Sequence, residues 1–368
     1  MKLQRTSRLA AVLTVGSLAL AACGGGDVSS APTTGAASGA PALTGTIAGA
    51  GSSAQTAAIE AWRAGFQTAN AGATVNYDPV GSGGGREQFQ AGGVDFAGTD
   101  RALKPKEVTA SAARCATGGT VVDLPLYISP IAVAFNLDGV AALNLKPATI
   151  AQIFNQKIKN WNDPAIKADN PEATLPDLAI TPVNRSDDSG TTSNFTDYLA
   201  KTAKTDWPYE ADGVWPVKGG EAANGTSGVV AAIKAGKGAI GYADASQVGE
   251  LGKVSVGVGT GFTAYTEEAA AAVVAGSPRE SGRMAGDIVI KIARETTKAG
   301  EYPIVLVSYS LACTKYTDPA KGALVKAFLT YAASEAGQQK AAENAGSAPI
   351  TAELRTEVQA SIDKIDAA

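Results

Sequence analysis

Four times in this chain a short apolar run that reads as a β-strand leads into a loop rich in glycine and hydroxyl residues. Residues 46–51 form the first run and end in Gly51-Ser52-Ser53. A helix follows to about Asn70, with Ala58, Trp62 and Phe66 four residues apart. Residues 73–80 alternate, with Val75 and Tyr77 on one face, and enter Gly81-Ser82-Gly83-Gly84-Gly85-Arg86. Val94-Asp95-Phe96-Ala97-Gly98 reads as a third strand and ends in Thr99-Asp100-Arg101. Residues 180–183 form a fourth and enter Arg185-Ser186-Asp187-Asp188-Ser189-Gly190-Thr191-Thr192. The helix that follows carries Phe195, Tyr198 and Leu199 on one face. Strand periods alternating with helical ones predict an α/β fold. In open α/β sheets ligands bind outside the carboxyl ends of the strands. Ser53, Ser82, Asp100 and the Arg185 loop stand at four such ends.

The fourth end has the most definite chemistry. The first N–H groups of a helix lack intrahelical partners, and the helix dipole adds partial positive charge there. Hydroxyls supply further donors, and the fork of Arg185 fits two oxygens of a tetrahedral oxyanion. The stretch therefore suits an anion, phosphate in particular. The same residues also serve as an ordinary N-cap and solvated turn, so the stretch alone leaves both readings open. The Gly81–Arg86 turn is not a Walker loop, because Lys-Ser/Thr is absent. By itself it fits a plain loop as well as a ligand contact.

Composition narrows the function classes. A chain of 368 residues, 45% hydrophobic and 18% charged, suits two domains or one split pair. There is no histidine, which removes His-dependent triads, His general bases and nearly all zinc sites. No metal spacing occurs among Cys23, Cys115 and Cys313. Basic residues number 31 and acidic ones 35; loss of Lys2, Arg5 and Arg8 with a leader leaves 31 − 3 = 28 against 35, or −7. Such a balance does not suit nucleic acid or acidic membrane surfaces. A Ser361-to-Lys364 pair in a polar terminal helix is the one trace of a hydrolase motif. Trp62, Trp161, Trp207 and Trp215 share no common face and read as packing residues.

Residues 1–22 have a basic start and an apolar run from Leu9 to Leu20, too short to span a membrane. They read as a signal peptide. The ending Leu20-Ala21-Ala22-Cys23-Gly24 resembles the lipobox of bacterial lipoproteins, which implies acylation of Cys23. Residues 23–45 are the lipidated cysteine and a Gly/Ser/Ala/Thr/Pro-rich tether, with a mean span on the order of 25 Å. Export leaves Cys115 and Cys313 as an even pair in a compartment that permits a disulfide; two buried free thiols are the alternative.

At this point the motifs carry a family resemblance. Gly49-Ala50-Gly51-Ser52-Ser53, Gly81-Ser82-Gly83-Gly84, Asp95-Phe96-Ala97-Gly98-Thr99-Asp100 and Arg185-Ser186-Asp187-Asp188-Ser189-Gly190-Thr191 resemble the four ligand motifs of PstS-type phosphate-binding proteins. These are extracytoplasmic receptors of the phosphate-specific ABC importer. Ile158-Lys159-Asn160-Trp161-Asn162-Asp163-Pro164, Gly238-Ala239-Ile240-Gly241-Tyr242 and the tail around Tyr302-Pro303-Ile304 extend the match from about 46 to 350.

The resemblance implies a type II periplasmic-binding-protein fold: two α/β lobes with the ligand cleft between them. Lobe 1 is expected over 46–127 plus 305–368 and lobe 2 over 128–304, with residues 121–135 and 303–311 crossing between them. It implies phosphate contacts from Ser53, Ser82, Asp100, Arg185, Ser189, Gly190 and Thr191, with Asp187 holding Arg185. Ser53 stands where threonine is common. Ala54 stands where an aromatic is common, so it has only its backbone N–H to offer. Asp188 stands where a small residue is common and brings a negative charge to the site. The expected function is capture of inorganic phosphate and delivery to ABC permease subunits. The expected protein is a monomer, attached to a membrane only by its lipid, with no catalysis, cofactor, metal or nucleic acid. The alternatives are a receptor for another tetrahedral oxyanion, such as sulfate, and a secreted phosphoester hydrolase.

Overall fold

The structure, a computed structural model, describes residues 43–366. The signal peptide, Cys23 and nearly all of the tether lie outside the described residues.

The first strand, β1 (Thr44–Gly51), begins two residues before the run expected from sequence and leads into α1 (Thr56–Ala69). The i, i+4 pattern is what packs this helix: Ala58, Ile59, Trp62 and Phe66 are all buried. β2 (Gly72–Asp78) is followed by α2 (Ser82–Gln90). The glycine run read as a turn is therefore the first turn of a helix. Gly81, at φ 93°, supplies the left-handed entry. A Cβ on Gly85 would lie 2.4 Å from Gly51 Cα, so that glycine allows α2 to rest directly on the end of β1. β3 (Phe96–Thr99) and α3 (Pro105–Ala113) follow. β1 pairs in parallel with both β2 and β3, as an α/β reading requires.

The long strand β4 (Val121–Phe135) is buried at every position. After it come β5 (Ala142–Leu145), α4 (Pro147–Phe154), α5 (Pro164–Asp169), β6 (Thr181–Arg185) and α6 (Gly190–Thr202). Next are β7 (Glu221–Ala223), α7 (Gly225–Ala235), β8 (Ala239–Asp244), β9 (Gly252–Val258), β10 (Gly261–Thr263) and α8 (Glu267–Ala275). Thr226 lies inside the first turn of α7, whose N-cap is Asn224.

The chain returns through β11 (Val305–Cys313), again buried throughout. It ends in α9 (Pro319–Ala333), α10 (Glu335–Ala345) and α11 (Ala352–Ile362). Neither α3 nor α10 is predicted from the sequence. Their apolar residues are few and mostly alanine, so no stripe stands out.

The curled sheet runs β2-β1-β3-β11-β4-β8-β6-β7, with β9 joining β4 and carrying β5 and β10. β11 is antiparallel to β3 and to residues 121–130 of β4, while residues 131–135 of β4 pair with β8. β4 and β11 thus pair with each other and link the two families of strands. Their register slips between Ser308 and Tyr309, opposite Tyr127 and Pro125. Proline has no N–H for the ladder and is tolerated at such a bulge. Cys115 and Cys313 are joined by a disulfide, with Cα atoms 5.5 Å apart.

Trp62, Trp161 and Trp207 are fully buried, in keeping with packing roles. Trp215 is half-buried and belongs to an aromatic group with Phe154, Phe195, Trp207 and Tyr242. The Phe195 and Tyr242 rings stack with centroids 4.3 Å apart.

Candidate functional site

The helix start at Ser189 is built from below. Phe195, Tyr198 and Leu199 are all buried and anchor α6. The Tyr242 hydroxyl lies 2.7 Å from Thr192 Oγ1 and accepts from Arg185 N–H at 3.3 Å, so one ring fixes both the strand end and the helix start. Ser189 is the N-cap; its Oγ accepts from Thr192 N–H at 3.2 Å. A Cβ on Gly190 would lie 2.4 Å from Ser82 Oγ and 2.6 Å from Asp100 Cβ, so only glycine lets α6 approach those residues.

Arg185 is buried, and its fork is oriented by Asp187. Nε donates to Oδ1 at 2.8 Å and Nη2 to Oδ2 at 2.5 Å. Asp187 Oδ1 also accepts from Gly225 N–H at 3.2 Å, which ties the pair to the start of α7. Arg185 therefore has a fixed direction, the preorganisation that bidentate anion binding needs.

Asp100 is the buried acid among these donors. Ser308 Oγ–H donates to its Oδ1, while Ser82 and Thr191 hydroxyls each lie 3.4 Å from Oδ2. Burial pushes the Asp100 carboxyl up from its ordinary range. Hydrogen bonds from Ser308 and Ser52, the charge of Arg185 and the Ser82 hydroxyl act against that. Its backbone is held as well: Asn194 Nδ2 donates to Asp100 O at 2.6 Å and to Gly190 O at 3.0 Å.

Ser53 is at the other side of the group. Its Oγ lies 3.0 Å from Thr226 Oγ1 and accepts from Thr226 N–H at 3.1 Å. Its carbonyl accepts from Gln247 Nε2 at 3.0 Å. The Ala54 N–H donates to Ser52 Oγ at 3.1 Å. The structure thus brings Ser82, Asp100, Arg185, Gly190 and Thr191 together, with Ser189 capping the same helix. Ser53 and Ala54 lie one contact further out, joined to the Arg185–Asp187 pair through α7.

Asp188 has a definite partner. Its Oδ2 accepts from Arg86 Nη2 at 2.8 Å, and its carbonyl accepts from Gly83 N–H at 2.9 Å. The charge that the sequence places beside the site is therefore paired to α2. Arg86 also donates to Thr99 and Glu107.

Sequence reasoning gives Thr226 no part in the site and does not single out Ser308, Asn194, Gln247 or Arg86. Two signals exist: Ser308 is, with Ser310, one of two serines in a mostly apolar strand run, and Gly225-Thr226 opens a helix directly after a strand. Among the described residues no cluster of three or more His, Cys, Asp or Glu could hold a metal ion.

A family profile described as a PBP superfamily domain matches residues 35–336. The chain is 36% identical over 375 residues to phosphate-binding protein PstS 3 of Mycobacterium tuberculosis, covering 99% of this chain and 100% of that protein. It is 34% identical over the same span to PstS 2 of that organism. It is 31% identical over 303 residues to PstS of Xylella fastidiosa, covering 81% and 79%. Among solved structures, a phosphate-binding protein from Stenotrophomonas maltophilia superposes with a TM-score of 0.63 at 21% identity, covering 86% of this chain and 93% of that one. A high-affinity periplasmic phosphate-binding protein (PfluDING) bound with phosphate gives 0.67 at 22%, with coverage of 86% and 93%. At these identities the structural likeness shows the two-lobe fold. With the full-length sequence match, it places this chain in the PBP superfamily and, within it, among the PstS phosphate-binding proteins.

Proposed function

We propose that this protein binds inorganic phosphate outside the cytoplasmic membrane and delivers it to an ABC-type permease. One observation carries the reading: a buried carboxylate, Asp100, faces hydroxyl donors and a helix start beside an oriented arginine. Near neutral pH phosphate carries at least one P–OH, which a carboxylate accepts, and several oxygens, which the donors satisfy. Phosphate ligands on this reading are Ser53, the Ala54 N–H, Ser82, Asp100, Arg185, Ser189, Gly190 and Thr191, with Asp187 orienting Arg185.

The proposed lobes are 46–127 plus 305–368 and 128–304. Part of 280–290 lies against the first, since Ile288 N–H donates to Asp123 O. Binding closes the lobes by a hinge motion about β4 and β11. The protein is a monomer and performs no catalysis. Its membrane attachment is the acylated Cys23. Among the described residues no helix is long and apolar enough to cross a membrane.

Calorimetric titration of the soluble protein with phosphate and sulfate tests the reading, together with a generic phosphoester assay. One phosphate per chain, much weaker sulfate and no hydrolysis are expected; tighter sulfate or steady turnover contradicts it. Fractionation of cells carrying Cys23→Ala tests the anchor, and the variant is expected to leave the membrane fraction.

A further inference from the structure

We propose that Ser308 determines anion specificity by positioning Asp100: its hydroxyl occupies Oδ1, so that the ionised carboxylate presents only Oδ2 to the bound anion. The proposal rests on the phosphate reading of the site. Ser308 is fully buried on β11, and its Oγ–H donates to Asp100 Oδ1. Oδ2, by contrast, is the oxygen near the Ser82 and Thr191 hydroxyls, at 3.4 Å from each. The two oxygens therefore have different tasks.

Ser308 sits where the β11 register slips against β4. Bulges of this kind re-aim side chains beside functional sites. The neighbouring crossing segment is itself fixed. Arg294 donates to the carbonyls of Pro303 and Val305 and, through Nη2, to Asn194, whose amide holds Asp100 O. Ser308 thus reaches Asp100 from a rigid support.

The chemistry follows from what a buried carboxyl does when a donor is lost. The titratable and charged groups facing Asp100 are Arg185 on β6 and Tyr77 on β2, with Arg294 acting through Asn194. Arg185 favours the ionised form, and the buried Tyr77 phenol is neutral. Burial disfavours the ionised form, whereas the hydrogen bond donated by Ser308 favours it. An ionised Asp100 only accepts, so it takes the P–OH of phosphate and repels sulfate, which has none. Without the Ser308 donor, Asp100 takes up a proton at higher pH and becomes an O–H donor. Sulfate can then accept from it.

The test is a pair of titrations, phosphate and sulfate, over pH 5 to 9 for wild type and Ser308→Ala. Ser308→Cys, whose S–H is a weak donor, serves as the second variant. In Ser308→Ala the phosphate-to-sulfate affinity ratio at pH 7 should fall at least about tenfold, and sulfate binding should persist to higher pH than in wild type. Ser308→Cys should lie between the two, and should carry the test if the alanine variant does not fold. An unchanged ratio and sulfate pH profile in a folded variant, with wild type still preferring phosphate, overturns this role for Ser308 alone. A wild type that binds no phosphate overturns the parent reading and this one with it. A uniform weakening of both anions with no pH shift assigns Ser308 to packing and also overturns the proposal.

Discussion

Asparagine at position 100 keeps the shape of aspartate but adds an NH₂ donor to the acceptor oxygen. Asp100→Asn should therefore retain much of its phosphate affinity. Sulfate gains a donor and loses a repulsion, and a site built around one hydrogen bond can discriminate by as much as 10⁴–10⁵-fold. The phosphate-to-sulfate ratio should fall more than about tenfold, as read by calorimetry at one pH and ionic strength. A ratio unchanged within about threefold would falsify Asp100 as the discriminating group.

Asp100 draws notice in the sequence because it is an acid among donors at a strand end. Its supports do not. Ser308 lies 208 positions away and Asn194 94 away, and no local pattern reports contacts of that separation. Ala54 shows a different limit: sequence leaves it only an N–H to offer, but cannot say that Ser52 Oγ accepts that N–H.

At the scale of elements, the strand-then-helix order and the α6 face are readable from periodicity, whereas the two crossing strands, buried at every position, carry no alternation and are expected from the resemblance. Periodicity cannot read the first turn of α2 either, because glycine there lowers helix propensity while permitting close contact with β1. The same helix carries Arg86, whose pairing with Asp188 joins α2 to the loop before α6. Gly83 belongs to this contact, since a Cβ there would lie 2.5 Å from Asp188 Cβ. Asp188 is 41% exposed, so solvent weakens the pair. Asp188→Ala should still lower phosphate affinity by about 1 kcal/mol, roughly fivefold, because Arg86 is left buried with Glu107 as its remaining ionic partner. Stopped-flow release of phosphate should show the change as faster dissociation. Equal release rates would mean that the clasp does not hold the closed form.

The whole molecule is linked through β4 and β11, and a second buried acid lies beside them. Asp244, at the end of β8, accepts from the Tyr127 hydroxyl of β4 at 3.1 Å and from Ser246 N–H at 3.0 Å. Burial pushes its carboxyl up to about 7 despite those bonds. The folded protein therefore binds this proton more tightly than the unfolded chain does. The group opposes folding when ionised above pH 7. That penalty is relieved as pH falls through about 7 and is gone below the unfolded value near 4. Asp244→Asn removes the dependence, so its melting temperature relative to wild type should rise by at least about 2 °C between pH 5 and pH 8. A constant difference across that range would mean that Asp244 does not titrate there.

The central claim at this scale is that strand ends from both sides of the β4–β11 crossing make a single phosphate seat around Arg185. The most direct measurement is phosphate titration of Arg185→Ala beside wild type by calorimetry. The account predicts one site per wild-type chain and a loss of about 1.5 to 3 kcal/mol in the variant, with unchanged circular dichroism. Equal affinity in a folded Arg185→Ala protein would contradict it, because the anion would then bind somewhere else.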